Sequence, residues 1–300
     1  MNYLECKIES TLGQGGQGVA FLVKPLDETD PNKYVYKVPW KPSHPLLQSY
    51  NATRVGKGRI LKPRHIKTKQ SITALTREKE YLRLVQGHDS IPLLCDLGDV
   101  DEVITRYEPA STLGTYILIN LEQVLNSPNR LLKHATSVIS WGYQICDALI
   151  HIQDNGFIAH RDVKPNNILV NVKENRAWLI DFGSALLAGD EDSFNRYFPL
   201  NCYTPPEGKF TLTPEPHQTS DVYSLGVVLY KSLSPYADLY DEDMILIFPG
   251  RIGEYVSLGI GKMLDELLVP MNIQDPRTRP TLAQTALHLK YVKAYLEAKH

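Results

Sequence analysis

The eight residues His160-Arg161-Asp162-Val163-Lys164-Pro165-Asn166-Asn167 constrain this chain more than any other stretch, because they set an acid, a base and a metal-ligand amide in one short loop. Asp181-Phe182-Gly183 follows 19 residues after Asp162. Taken alone, Asp-Phe-Gly is a turn and His-Arg-Asp a solvated loop. In this order and at this spacing, a shared chemical site is the stronger reading.

A helix runs directly into that loop. Val138, Trp141, Ile145, Leu149 and Ile152 mark one helical face, and Asn155-Gly156 is its stop. Upstream, the first third reads as strands: Leu4, Cys6 and Ile8 alternate with polar neighbours, and Val19–Val23 and Tyr34–Val38 flank a turn-forming cluster from Asp27 to Asn32. One helix interrupts this region, from about Ser71 to Gln86 with Gly87 as its stop. Its stripe of Leu75, Leu82 and Val85 also takes in Glu78, whereas Glu80 points elsewhere. A charge on a buried face needs a partner. Ser220 is the expected N-cap of a helix through Leu233, and Pro280 opens a final helix through Leu296.

Composition narrows the class. With 43% hydrophobic residues over 300, the chain can bury one large core or two smaller ones. No stretch approaches a membrane span, and Met1–Cys6 lacks a charged region followed by an apolar one, so a soluble, cytoplasmic protein is expected. Cys6, Cys95, Cys146 and Cys202 lack metal-ligand spacing and read as reduced thiols. Net charge is only −2, yet residues 1–100 hold 15 Lys and Arg against 10 Asp and Glu. Most of that bias lies between Val38 and Arg77, which has nine cations and no carboxylate. It reads either as a solvated loop or as a docking surface for an acidic partner; nucleic acid is not the expected partner.

Gly13-Gln14-Gly15-Gly16-Gln17-Gly18 fits G-x-G-x-x-G. A dinucleotide site would require a helix next, but Val19-Ala20-Phe21-Leu22-Val23 is a strand pattern, so a hairpin covering phosphates fits better. Without a Cβ, glycines let backbone amides approach phosphate oxygens.

Together these stretches resemble the eukaryotic-type protein kinases. The loop at 160–167 matches their H-R-D-x-K-P-x-N, and 181–183 their D-F-G. Tyr203-Thr204-Pro205-Pro206-Glu207 resembles the A-P-E end of the activation segment, Asp221-Val222-Tyr223-Ser224-Leu225-Gly226 the D-x-x-S-L-G helix, and Arg279-Pro280-Thr281 the closing R-P-T. The resemblance spans almost the whole chain. It implies an α+β, bilobal kinase fold: a small β-rich N-lobe at 1–105 with a basic insert at about 41–70, a hinge at 106–108, and a larger helical C-lobe at 109–300.

The implied reaction is Mg2+-dependent transfer of the ATP γ-phosphoryl group to a protein Ser or Thr hydroxyl. Asp162 would accept the hydroxyl proton, and Lys164 would neutralise the moving phosphoryl group. Lys37 would hold the α- and β-phosphates and pair with Glu78. Gly13, Gly15, Gly16 and Gly18 would cover the phosphates; Thr105 would gate the adenine pocket, and the backbone of Arg106, Tyr107 and Glu108 would bond the base. Asn167 and Asp181 would bind Mg2+. Glu207 and Arg279 would form a buried structural pair.

Departures from the pattern also stand out. The 41 residues from Lys37 to Glu78 exceed the family's usual spacing, which places an insertion there. Gln17 replaces a common aromatic, Pro205 the A-P-E alanine and Leu200 a threonine, while Arg196 lies near the usual phosphate-accepting position. Asp190, Glu191 and Asp192, with Ser193 beside them, could supply negative charge to Arg161. Two other readings stay open: a pseudokinase scaffold, and a kinase-like enzyme acting on a small molecule or transferring another part of ATP.

Overall fold

Apolar residues recurring at every second position build the first sheet. In the computed structural model, which describes residues 6–15, 17–54, 68–95, 99–125, 127–190, 201–209, 217–234 and 259–299, β1 (Cys6–Gln14), β2 (Val19–Pro25), β3 (Tyr34–Val38) and β4 (Val103–Arg106) pair antiparallel in that order. Val19, Phe21 and Val23 of β2 oppose Val38, Tyr36 and Tyr34 of β3, and all of these but Tyr34 have no exposed surface, so one sheet face is core. The β2–β3 turn is held by side chains, Asp27 and Asp30 each accepting a backbone N–H two residues on, from Thr29 and Asn32.

The buried face of this sheet is covered by a helix that no sequence signal marked. α1 (Pro45–Arg54) buries Leu46, Leu47 and Tyr50, and with Trp40 they join Val19, Phe21, Val23, Tyr36, Val38 and Ile104 in one cluster. The ring centroids of Phe21 and Tyr50 lie 5.3 Å apart. His44, just before α1, bonds Glu102 at 2.8 Å, and Glu102 also accepts from the Tyr36 hydroxyl at 2.7 Å. The early part of the basic insert is therefore core, which corrects the expectation of a solvated loop or docking surface along that stretch. The cations had masked a second pattern, Leu46, Leu47 and Tyr50 at helical spacing, and burying a Leu side chain contributes about 1.5–3 kcal/mol. Residues 55–67, which hold most of those cations, lie outside the described residues.

α2 (Thr68–Leu84) begins three residues before the sequence signal. Leu75, Glu78 and Leu82 are buried on it, and Glu80 is exposed. These elements form one compact unit, Met1–Gly87 with Pro92–Glu108.

His88–Ile91 and Pro109–His300 form the second unit. Its centre is α4 (Pro128–Asp154), whose buried residues include Val138, Trp141, Ile145, Leu149 and Ile152. Around it lie α3 (Leu113–Leu125), α5 (Pro206–Lys209), α6 (Ser220–Leu233), α7 (Gly261–Met271) and α8 (Leu282–Glu297). Thr219, not Ser220, is the residue flanking the start of α6. Thr281 caps α8, its hydroxyl accepting from Gln284 N–H while Gln284 Oε1 accepts from Thr281 N–H. Two small antiparallel sheets complete the unit, one ordered β5 (Ser111–Thr112), β7 (Ile168–Asn171), β8 (Arg176–Leu179), the other pairing β6 (Phe157–Ala159) with β9 (Leu186–Leu187). The loop at 160–167 emerges between β6 and β7.

Candidate active site

In the first unit, β3 and α2 bring together residues 41 apart. Lys37 Nζ lies 2.6 Å from Glu78 Oε2, with the carboxylate side chain only 5% exposed. Lys37 Nζ also donates to Gln17 Oε1 at 3.0 Å, so the ammonium is fixed from two directions. The glycine turn is pinned by side chains that no motif flags. Trp40 Nε1 donates to the Gly15 carbonyl at 2.7 Å, Trp40 N–H to Ser71 Oγ at 2.8 Å, and Ser71 Oγ to the Gln17 carbonyl at 2.5 Å. Gly18 is required for packing, since a Cβ there would sit 2.1 Å from the Val38 carbonyl oxygen. Gly13 and Gly15 face open space, and Gly16 lies outside the described residues.

Thr105 on β4 pairs with Val35 on β3 and bridges to Leu94. The Arg106 N–H is donated to the Leu93 carbonyl and the Tyr107 N–H to the Lys33 carbonyl, both at 2.9 Å. Of the backbone expected to bond the base, the N–H groups of Arg106 and Tyr107 are thus engaged within the unit. The first unit ends at Glu108.

In the second unit, Asp162 is gripped by its own loop. Lys164 Nζ reaches Oδ1 at 2.8 Å and Oδ2 at 2.7 Å. Asn167 Nδ2 donates to Asp162 Oδ2 at 2.8 Å and to the Asp162 carbonyl at 2.9 Å. Burial pushes the Asp162 carboxyl above its ordinary range, against the opposing pull of Lys164 and Asn167. A one-turn helix at Pro165–Asn167 sets the spacing, with Asn167 N–H bonding the Lys164 carbonyl at 2.9 Å.

The loop's backbone is held from α6. Asp221 Oδ2 accepts from His160 N–H at 2.6 Å, and Oδ1 from Arg161 N–H at 3.0 Å, in a turn where Arg161 has φ 64°. Burial raises the Asp221 pKa to about 6 and lowers that of His160 to about 4. Arg161 Nε donates to the Ser184 carbonyl at 2.6 Å, tying the loop to the residues after Asp181. Asp181 itself adopts φ 68°, ψ 75°, and the following Phe182 packs edge-on against His160 with centroids 5.0 Å apart. Asp181 is close enough to help raise the Asp162 pKa.

The donor set suits Mg2+. Asn167 spends its amide nitrogen on Asp162, which leaves Oδ1 as its donor oxygen, and Asp181 adds a carboxylate in the same unit; both are hard oxygen donors.

Farther from the loop, Arg279 Nη1 and Nη2 meet Glu207 Oε1 and Oε2, each at 2.7 Å. Glu191, Asp192, Ser193, Arg196 and Leu200 lie outside the described residues.

A profile of the protein kinase domain matches residues 50–292. The chain belongs to the protein kinase domain family. Its two units are the β-rich and helical halves of that bilobal α+β fold. The glycine turn and Lys37 precede the matched range, so their place in a kinase domain rests on the pairing of Lys37 with Glu78. The chain is 25% identical over 276 residues to serine/threonine-protein kinase nekl-2 of Caenorhabditis elegans, covering 89% of this chain and 69% of that one. It is 26% identical over 246 residues to serine/threonine-protein kinase PKH2 of Candida albicans, covering 77% and 24%. It is 39% identical over 110 residues to rabbit (Oryctolagus cuniculus) MAP kinase-activated protein kinase 2, covering 33% and 28%. The matches thus span about a quarter of the length of two of these kinases. Among the described residues, no helix is long and apolar enough to cross a membrane.

Of the residues singled out by the motifs and the kinase resemblance, the structure brings Lys37 to Glu78, and Lys164 and Asn167 to Asp162. No motif marks Trp40 and Ser71 as clamps of the glycine turn, nor Asp221 as the acceptor that holds the loop. A buried Asp at the start of an apolar helix was the available signal for the last.

Proposed function

We propose that this chain transfers the γ-phosphoryl group of ATP, with Mg2+, to Ser or Thr hydroxyls of proteins. The observation that carries the proposal is the grip of Lys164 and Asn167 on both oxygens of Asp162. A carboxylate so fixed, in a buried setting that raises its basicity, suits acceptance of a hydroxyl proton, and the lysine beside it supplies countercharge to a moving phosphoryl group. Lys37, directed by Glu78 and Gln17, is suited to the α- and β-phosphates. Asn167 and Asp181 would hold Mg2+, which when bound supplies positive charge to the phosphate oxygens. Thr105 would gate the adenine, and the backbone of the hinge at Arg106, Tyr107 and Glu108 would lie along its edge, with the Arg106 and Tyr107 N–H groups already committed to Leu93 and Lys33.

The pseudokinase alternative is disfavoured because Lys37, Asp162, Asn167 and Asp181 are all retained in the sequence. A cytoplasmic setting is proposed from the scatter of Cys6, Cys95, Cys146 and Cys202 along the sequence, which lacks a disulfide framework's spacing. For the cations of the basic insert we retain an acidic protein partner.

Incubation with γ-labelled ATP, Mg2+ and a generic protein substrate, followed by phosphoamino-acid analysis, tests the reading. Phosphoserine or phosphothreonine is expected, and Asp162→Asn should lower turnover by about 100- to 10,000-fold while ATP affinity holds. Near-normal turnover in that variant, or phosphotyrosine alone, overturns the reading.

A further inference from the structure

A cavity of about 270 Å³ opens in the second unit, lined by α3, the 160–167 loop, Tyr203 and Lys231 of α6. It shares Lys164 with the site, and Lys164 Nζ touches Asp162 at 2.7 Å, so whatever enters lies within a few residues of a phosphoacceptor hydroxyl. We infer that this cavity reads the acceptor peptide, by taking an anionic side chain, carboxylate or phosphorylated, near the acceptor. The inference rests on the protein-kinase reading proposed above.

Size comes first. Small-molecule sites run to about 300–1,000 Å³, and this cavity falls just below that range, which suits a single side chain better than a second cofactor. Charge follows. Of the described residues lining it, two are lysines, Lys164 and Lys231, and none is Asp or Glu. Asn166 adds an exposed amide, and Gly114 makes room for it, since a Cβ at 114 would lie 2.7 Å from Asn166 Oδ1. Leu118, 87% exposed on α3, offers apolar surface to the methylene stem of a longer acidic side chain.

The two lysines differ in role. Lys164 already spends its charge on Asp162, and an anion drawing it away would disturb the base. Lys231 stands over the Tyr203 ring, with Nζ 5.9 Å from its centroid, which positions the ammonium on the cavity wall. Lys231 is therefore the specificity-determining residue. It rewards an anion and penalises a cation at the same subsite, and like-charge repulsion is as effective a filter as attraction.

The test uses the full chain and a set of peptides sharing one acceptor Ser, each flanking position carrying in turn Glu, phosphoserine, Gln or Lys. At one flanking position, kcat/KM for Glu should exceed Gln by about fivefold or more, as for a charge-assisted contact in a partly enclosed site, with Lys below Gln. Comparing the Glu and phosphoserine arms tells which anion the cavity takes. Lys231→Gln should bring the Glu-to-Gln ratio to about one, and Lys231→Glu should move the preference toward Lys. Equal use of Glu and Gln at every position by the wild type, or a Glu preference that survives both substitutions, overturns the inference. Anisotropy binding of the same peptides with Ala at the acceptor runs in parallel. An absence of transfer to every peptide would sink the kinase reading, while the binding ratios would still decide what Lys231 recognises. Circular dichroism of both variants separates a folding failure, and should Lys231→Glu misfold, the Glu-to-Gln ratio of Lys231→Gln alone supports or overturns the inference.

Discussion

Removing Glu207 should cost the second unit much of its margin of stability, and the reason is the cation it leaves behind. The Arg279 side chain has no exposed surface, and it meets the Glu207 carboxylate through two contacts of 2.7 Å. Its remaining bonds go to neutral carbonyls, among them those of Ile273 at 2.6 Å and Gln274 at 2.8 Å, and it stacks over Tyr223 with 4.9 Å to the ring centroid. In Glu207→Ala the guanidinium stays buried, because the carbonyls and the ring hold it, but its countercharge is gone. One-sided removal of a buried pair costs about 3–5 kcal/mol, against a total stability of about 5–15 kcal/mol. With a urea slope of about 2 kcal/mol per molar, the midpoint should fall by about 2 M. Glu207 also accepts from Ser220 Oγ at 2.8 Å, which places part of the loss at the start of α6.

Urea unfolding of wild type, Glu207→Ala, Arg279→Met and the double variant is the assay. If the orphaned charge dominates, the double variant is more stable than Glu207→Ala alone, with a coupling of about 0.5–3 kcal/mol. A Glu207→Ala loss under about 1 kcal/mol, or single losses that simply add, would mean that a stranded guanidinium is not what destabilises the fold.

Lys37→Met and Glu78→Ala should each lower phosphoryl transfer, and the double variant should be little worse than the poorer single, since each orients the other; multiplied losses in initial-rate assays would deny the pairing, and Glu80→Ala serves as the exposed control. Leu47→Ala on α1 should destabilise the first unit by about 2–5 kcal/mol in chemical denaturation, and a loss within error would return this part of the insert to the status of a surface appendage. The pH dependence of stability should expose two opposed groups. His160, with its pKa lowered to about 4, favours the fold above its unfolded value near 6.5 and loses that contribution as pH falls toward 4; Asp221, raised to about 6, is relieved of a buried charge as pH falls from 6 toward its unfolded value of 3.8. Each amounts to about 3 kcal/mol, so they offset in wild type, and Asp221→Asn should lose about 3 kcal/mol more than wild type between pH 6 and 4 in urea titrations. Parallel curves for the two proteins would contradict this.

The local signals that proved legible were those in which the chain itself carries the geometry. Alternation in β2 and β3 set the sheet, the 3.6-residue stripe of α2 selected Glu78 over Glu80, and the 160–167 loop closed on itself, Lys164 and Asn167 reaching Asp162 across two and five residues. Capping showed the limit of that legibility: helix starts at Thr68, Ser220 and Leu282 differ by one to three residues from the signals, because end residues are chosen by what their neighbours leave unbonded.

Short-range spacing was thus enough to specify most of the elements, the family resemblance and the chemical identity of the groups around Asp162. What those groups lean on came from long-range packing. That α1 would cover a sheet face, that Trp40 and Ser71 would clamp a turn 25 and 54 residues away, that Asp221 would hold the backbone of a loop 60 residues earlier, and that the Arg106 and Tyr107 amides would be taken by Leu93 and Lys33 all depend on distant partners. A buried hydrogen-bonding group must find a partner somewhere, but nothing in the sequence around it says where, since that follows only when packing brings two remote segments within about 3 Å.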